Sequence, residues 1–130
     1  MQTIELTHPY KKEWVLQEPI VLALGFFDGI HLGHKEVITT AKRVGKERGY
    51  KVAVMSFNQH PSVIFQNVDP ASIQYVSPLE RKKELLEELG VDIFYLVDFT
   101  KEFGALTPQE FVDQYIVGLN AKVIVAGFDY

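Results

Sequence analysis

The chain has 130 residues, no cysteine, a formal net charge of −4 and 47% hydrophobic residues. This is enough for one globular domain with a core, but too little for two large ones. The acidic balance argues against nucleic-acid binding, the lack of cysteine excludes a disulfide framework, and no apolar run approaches the ~20 residues of a membrane span. With no signal-peptide pattern at the N-terminus, we expect a cytoplasmic protein without a membrane partner.

Residues 1–19 are polar and only weakly patterned. Ile4 and Leu6 alternate with polar neighbours, which predicts a short edge strand. The stretch from His8 to Lys12 predicts a turn, in which we expect His8 to be solvated.

A buried strand is predicted at Ile20–Leu24, followed by the stretch GFFDGIHLGH at residues 25–34. Apolar residues at helical spacing then predict a helix that runs to about Arg48, with Gly49 as its stop. Residues 52–57 form the next apolar run. Together these elements predict a βαβ unit with parallel strands and a right-handed crossover.

Two histidines, His31 and His34, lie between the end of the strand predicted at Ile20–Leu24 and the first turn of the helix that follows it. A helix start has unpaired N–H groups and a positive dipole end, and so favours an anion. Side chains at i and i+3 share one helix face and can donate to the same anion. The stretch is neither a Walker A loop nor the G-x-G-x-x-G fingerprint. The plainer alternative is that both histidines cap the helix or pack against it.

Residues 58–76 predict a long loop, and connections of this length are often functional. Capping boxes at 77–80 and 107–110 each predict a helix. The first helix ends at Gly90, with Leu85, Leu86 and Leu89 inward; the second buries apolar residues at five positions, namely Phe111, Val112, Tyr115, Ile116 and Leu119. Strands are predicted at 91–97 and 123–126, with a loop through Phe99 and Phe103 after the first of them.

Strands and helices alternate, which predicts an α/β fold with a parallel sheet covered by helices on both faces. Ligands of such sheets bind outside the carboxyl ends of the strands, at the topological switch point. All the chemical candidates follow a predicted strand end. They are Asp28, His31 and His34 after the first strand, Asn58 and His60 after the second, Asp98 after the third and Asp129 after the fourth.

The stretch GFFDGIHLGH resembles the H-x-G-H signature of the nucleotidyltransferase superfamily, whose members bind nucleotide phosphates there. The stretches SFNQHPSVIF and FGALTPQEFVDQYIVGLNAKVIVAGFDY resemble the bacterial bifunctional riboflavin kinase/FMN adenylyltransferases, and the whole likeness covers roughly residues 16–130. It implies a Rossmann-like nucleotidyltransferase fold with strand order 3-2-1-4. The family's second signature, which ends in arginine, and its kinase domain are not in these residues. We therefore expect residues 1–130 to be a C-terminally incomplete FMN adenylyltransferase domain.

The resemblance implies adenylyl transfer from ATP to FMN, giving FAD and pyrophosphate, with Mg²⁺ bound to the substrate. The resemblance implies that the partners are small molecules and that the protein supplies no metal ligands. It does not predict an oligomeric state. His31 and His34 are the implied catalytic residues. The implied ATP-binding residues are Gly25, Phe26, Phe27, Asp28, Gly29, His31, Gly33 and His34. The implied flavin-binding residues are Phe57, Asn58, His60, Pro61 and Asp129.

Asn58-Gln59 departs from the family pattern, which more often has proline before the His-Pro pair. Asp28 could instead be a structural cap, Asp129 a plain loop carboxylate, and Phe57 and Pro61 core or turn residues. A nucleotidyltransferase acting on phosphopantetheine, a nicotinamide mononucleotide or a phosphorylated alcohol shares the first motif. A non-catalytic flavin- or nucleotide-binding module is the alternative from another class.

Overall fold

The structure is a computed structural model that describes residues 1–24, 32–57 and 79–126, with backbone only for 32–34 and 79. Five parallel strands form one sheet in the order β1-β4-β3-β2-β5. The strands are β1 Gln2–Leu6, β2 Ile20–Leu24, β3 Lys51–Phe57, β4 Ile93–Val97 and β5 Ala121–Ala126.

The helices lie between the strands in the chain. They are α1 Leu32–Arg48, α2 Leu79–Glu88, α3 Lys101–Gly104 and α4 Pro108–Phe111, which continues as a π-helix over Val112–Val117. A single 3-10 turn, Lys12–Trp14, precedes β2. No helix in the described ranges combines the length and the apolar character that a membrane crossing needs.

The predicted order 3-2-1-4 corresponds to β4-β3-β2-β5, and it is confirmed. The predicted edge strand is also confirmed, because β1 pairs with β4 in parallel at the outside of the sheet. A sheet that grows outward from its first buried strand in both directions is the doubly wound arrangement, in which the switch point lies beside that central strand.

Strand β2, which lies between β3 and β5, is buried along its whole length and contributes side chains to two separate cores. Ile20, Leu22 and Leu24 face the core under α3, α4 and the π-helix, which also holds most of the buried aromatic rings. Val21 and Ala23 face the other core, under α1 and α2. Because side chains alternate along a strand, an apolar run of five residues can build both layers at once.

Glycines end the first two helices, as their positions in the sequence predict. Gly49 follows α1 with φ +74°, and Gly90 follows α2 with φ +87°. Only glycine takes up this left-handed conformation without a steric cost from a Cβ atom. Each glycine lets the chain turn back within three residues into the next strand, which fits the short returns of a βαβ unit.

The predicted capping box at the start of α4 is confirmed. The Thr107 hydroxyl accepts from the Glu110 N–H at 3.1 Å, and Glu110 Oε1 accepts from the Thr107 N–H at 2.9 Å. These hydrogen bonds favour the ionised carboxylate and hold the pKa of Glu110 below its usual value.

Replacing Thr107 by alanine should lower the free energy of unfolding by about 1 kcal/mol, since a helix start loses its side-chain cap. Urea unfolding measures the change, and Thr107→Ser, which keeps the hydroxyl, is the control.

The carboxylate of Glu110 makes the stability of this helix start depend on pH. Its folded-state pKa is depressed, so its contribution is present at neutral pH and lost as the pH falls through that pKa. The stability gap between wild type and Glu110→Gln should therefore close in acid, and a gap that persists there would contradict this account.

Two local predictions are wrong. Residues 101–104 form the short helix α3, capped by the Thr100 hydroxyl on the Phe103 N–H, where a loop was predicted. Val112 is 43% exposed, whereas Tyr115, Ile116 and Leu119 are buried as predicted. The reason is the π-helix, whose wider turn is marked by the bond from Gly118 N–H to Asp113 O at 3.0 Å. It rotates Val112 off the inward stripe that α-helical spacing predicts.

Candidate functional site

The carboxyl ends of the strands meet at one edge of the sheet, which is where the candidate residues were predicted to gather. Leu24, the last residue of β2, pairs with Met55 on one side and with Ala126 on the other. Neighbouring strands lie about 4.8 Å apart. The carboxyl ends of β2 and β5 therefore lie side by side at the switch point, and residues 25–31 and 127–130 follow these ends in the sequence.

The exits of β3 and β4 are adjacent in the same way. Phe57 pairs with Val97, so Asn58 and Asp98 are the first residues after two neighbouring strands. The Asp98 N–H donates to Leu6 O at 2.9 Å and ties this exit to β1. The register thus brings the starts of four chain segments to one edge, as the order of predicted elements implied.

The element bounds confirm the strand that precedes the two histidines and the helix that begins beside them. β2 ends at Leu24 and α1 begins at Leu32, so His31 directly precedes the helix and His34 is its third residue. The first turn of α1 holds no acidic residue, and its last turn carries Lys46 and Arg48. The N-terminal end of this 17-residue helix therefore faces the carboxyl edge of the sheet, and the first turn carries no carboxylate of its own.

Most of the predicted site residues lie outside the described residues, so their roles stay predictions. Those outside are Gly25, Phe26, Phe27, Asp28, Gly29, His31, Asn58, His60, Pro61 and Asp129. For Gly33 and His34 the structure gives their place in the backbone of α1 and no more.

Phe57 is the predicted flavin contact that the structure describes fully. It ends β3 and is 8% exposed. Its ring meets Phe99 edge to face at 5.3 Å between centroids, and lies 5.7 Å from the ring of Phe103. Phe57 therefore belongs to the aromatic core on the α3 side. Its contact with flavin stays a prediction.

The same aromatic core continues to Tyr115 and reaches His8. Phe103 packs edge to face on Tyr115 at 4.9 Å, and His8 Nδ1 hydrogen-bonds the Tyr115 hydroxyl at 2.9 Å. Burial, with Tyr10 nearby, raises the pKa of Tyr115, so the hydroxyl stays protonated at neutral pH. The prediction that His8 is a solvated loop residue is therefore wrong, because its ring is half-buried against this tyrosine.

Sequence reasoning missed Ser56 and Lys82. Both are buried, and Lys82 Nζ donates to Ser56 Oγ at 3.3 Å. Ser56 is the next-to-last residue of β3, at the edge where the candidate segments start. A signal was available in the sequence, since Lys82 lies four residues before the inward Leu86 on the same helix face.

Within the described ranges, no three His, Cys, Asp or Glu side chains lie close enough together to hold a metal ion.

Comparison with known proteins identifies two close relatives over the whole chain. The bifunctional riboflavin kinase/FMN adenylyltransferase of Listeria monocytogenes is 48% identical over 130 residues, which is 100% of this chain and 41% of that protein. The protein of the same name from Bacillus subtilis is 46% identical over 131 residues, again with 41% of its length covered. The chain thus spans about two fifths of the length of these relatives.

A solved structure shows the same fold. A crystal structure described as a macrolide-efflux protein from Streptococcus pneumoniae superposes with a TM-score of 0.89 and 34% sequence identity, covering 100% of this chain and 49% of that one. Residues 14–130 also match the family model described as FAD synthetase. With nine tenths of its length inside that match, the chain belongs to the FAD synthetase family.

Proposed function

We propose that residues 1–130 carry the front part of an FMN adenylyltransferase, which transfers AMP from ATP to FMN and gives FAD and pyrophosphate. One observation supports the proposal: the register brings the carboxyl ends of β2, β3 and β5 to one edge of the sheet, and in the sequence these strands directly precede the H-x-G-H segment, the 58–61 stretch and residues 127–130. In a chain of the FAD synthetase family, this is the edge where a nucleotide and a flavin would meet.

The reaction is a displacement at phosphorus. A phosphate oxygen of FMN attacks the α-phosphorus of ATP and forms the new P–O bond, while the bond from the α-phosphorus to the bridging oxygen breaks. Pyrophosphate leaves with the electron pair. No covalent enzyme intermediate is required, so positioning and neutralisation of charge are the main contributions that a protein can make.

His31 and His34 are proposed to donate hydrogen bonds to the ATP phosphates and to the pyrophosphate as its charge grows. The amides at the start of α1 add a positive dipole end at the same place. Gly25, Gly29 and Gly33 would let the backbone come close to the nucleotide. Asp28 would orient the turn or the water molecules of the metal ion.

The flavin side is proposed to lie at the neighbouring exits. Asn58, His60 and Pro61 would line it from the end of β3, and Asp129 would approach it from the end of β5. Phe57, which directly precedes this stretch in the sequence, is held by its ring contacts with Phe99 and Phe103. Because its ring is buried, Phe57 is proposed to lie beneath the flavin rather than beside it.

Mg²⁺ is proposed to arrive with ATP, because this ion prefers oxygen ligands and keeps several of its waters. Bound there, it would neutralise phosphate charge during the transfer. By analogy with the longer relatives, we also propose a cytoplasmic parent protein that phosphorylates riboflavin to FMN in a second domain.

The direct test is to incubate the full-length protein with ATP, Mg²⁺ and FMN, and to look for FAD and pyrophosphate by chromatography. Phosphopantetheine and nicotinamide mononucleotide serve as competing acceptors, because other H-x-G-H enzymes use such substrates. FAD formed in preference to either alternative product supports the proposal. Turnover of another acceptor alone would overturn the proposal in favour of a different H-x-G-H nucleotidyltransferase. Binding of flavin without turnover would overturn it in favour of a non-catalytic binding module.

Hydrogen exchange should separate the two halves of the site. FMN is expected to protect the amides of residues 57–65, and ATP alone is expected to protect the start of α1, because each ligand orders the segment that it contacts. Exchange followed by mass spectrometry on the full-length protein measures both effects. Protection by FMN confined to other segments would count against the flavin assignment without affecting the phosphate site.

A further inference from the structure

Lys82 is a buried lysine with a specific partner. Its side chain is on α2 and the residue is 3% exposed, while Ser56 on β3 is fully buried. Lys82 Nζ donates to Ser56 Oγ at 3.3 Å. Lysine is among the residues that proteins almost never bury, because an ammonium taken out of water loses much of its solvation. Such a residue therefore needs an explanation beyond packing.

The pattern of buried and charged residues along α2 shows why a buried lysine is unexpected at this position. Lys82 lies one turn before the buried Leu86 and shares its inward face. Its two cationic neighbours lie to either side of that face and pair with carboxylates of their own helix: Arg81 with Glu84 at 3.0 Å, and Lys83 with Glu80 at 3.7 Å. An apolar residue at position 82 would continue the inward stripe and avoid the desolvation of a charge.

The location of the pair connects it to the proposed site. Ser56 pairs with Leu96 and immediately precedes Phe57, which ends β3. The stretch proposed to bind flavin starts one residue later. Lys82 also lies near the start of α2, which approaches the same carboxyl edge of the sheet because helices of right-handed crossovers run against their strands.

We propose that Lys82 is a positioning residue for the flavin side of the active site. By holding Ser56, its ammonium fixes the backbone at the end of β3, one residue before the stretch that is proposed to bind flavin. Small displacements of substrate-positioning groups are enough to cost a large part of the rate. The inference rests on the proposed function, and it deepens that proposal by assigning a role to a residue outside the loops.

The experiment compares Lys82→Met with Lys83→Met in the full-length protein. Methionine keeps the length and apolar body of the lysine side chain and removes its charge. For Lys82→Met we expect the KM and the dissociation constant for FMN to rise about tenfold, the KM for ATP to stay within about twofold, and the melting temperature to stay the same or rise. For Lys83→Met, whose partner is on its own helix, neither constant should change.

Two further variants show whether the effect runs through Ser56. Ser56→Ala should reproduce the rise for FMN, and Ser56→Ala with Lys82→Met should add little, because residues that act as one unit are not additive. Lys82→Arg keeps the cation and should restore much of the affinity. If Lys82→Met does not fold, the pair of Ser56→Ala and the double variant, in which both groups become apolar, gives the same comparison.

The outcomes separate this inference from the proposed function. FAD synthesis by the wild type with unchanged FMN constants in Lys82→Met overturns the role of Lys82 and leaves the function intact. Equal rises for FMN and ATP, or losses that follow the folded fraction alone, also overturn it, because a structural role predicts them. Absence of FAD synthesis by the wild type overturns the proposed function itself, whereas the selective rise for FMN supports both.

Discussion

Replacement of His31 or of His34 by alanine in the full-length protein is expected to lower the rate of FAD formation by about 100-fold or more. Removing one preorganised donor from developing negative charge typically has an effect of this size. The free energy of unfolding should change little, as it does for most substitutions outside a core. Steady-state kinetics and urea unfolding of the same preparations measure the two quantities.

The double variant tests whether the histidines act together. If both contact the same phosphates, their combined loss should be smaller than the product of the two single losses. Wild-type turnover in the double variant would remove both residues from the mechanism.

His8 provides the matched control, since it is a histidine of the same chain with a described partner elsewhere. Its ring hydrogen-bonds the Tyr115 hydroxyl at 2.9 Å. His8→Ala should therefore reduce stability, by about 1 kcal/mol for a lost hydrogen bond of this kind, and leave the kinetic constants of the folded enzyme unchanged. If His8→Ala instead lost activity and kept its stability, the assignment of His8 to a structural role would be wrong.

Residues 1–130 alone are expected to make no FAD, even with a correctly formed histidine site, and no FMN from riboflavin. The curated relatives are more than twice as long as the matched region. The family's second signature, with an arginine suited to a bidentate phosphate clamp, is not among these residues. We propose that a longer parent protein supplies it.

The sheet offers a physical reason for the same expectation. β5 is an edge strand of the described sheet, and alternate residues along it are exposed, with Ile124 46% accessible. An exposed edge strand favours association between chains.

The measurement compares the 130-residue chain with a version extended to the length of its relatives, both with ATP, Mg²⁺ and either FMN or riboflavin. The extended protein should make FAD from FMN and FMN from riboflavin. Circular dichroism and size-exclusion chromatography of the short chain control for folding and association. Robust ATP-dependent FAD synthesis by the purified short chain would refute the proposed domain boundary.

The sequence by itself determined the architecture. Apolar runs such as Ile20–Leu24, the capping box of Thr107 and Glu110, and the glycine stops at Gly49 and Gly90 act over a few residues, so they can be read without the fold. The order of the four strands β4-β3-β2-β5 followed from the family resemblance. Every candidate followed a predicted strand end, so the sequence also predicted one common edge for the site, and the register shows that these strand ends meet.

Only the tertiary structure decided which side chains are buried and which distant residues they contact. His8 is 107 residues from Tyr115 in the chain, and Lys82 is 26 residues from Ser56, so no local pattern reports either hydrogen bond. The exposure of Val112 depends on a π-helix whose extra residue per turn changes which side chains face inward. Contacts between distant segments depend on how the sheet and its helices pack, and this packing buries a lysine that composition alone would place in solvent.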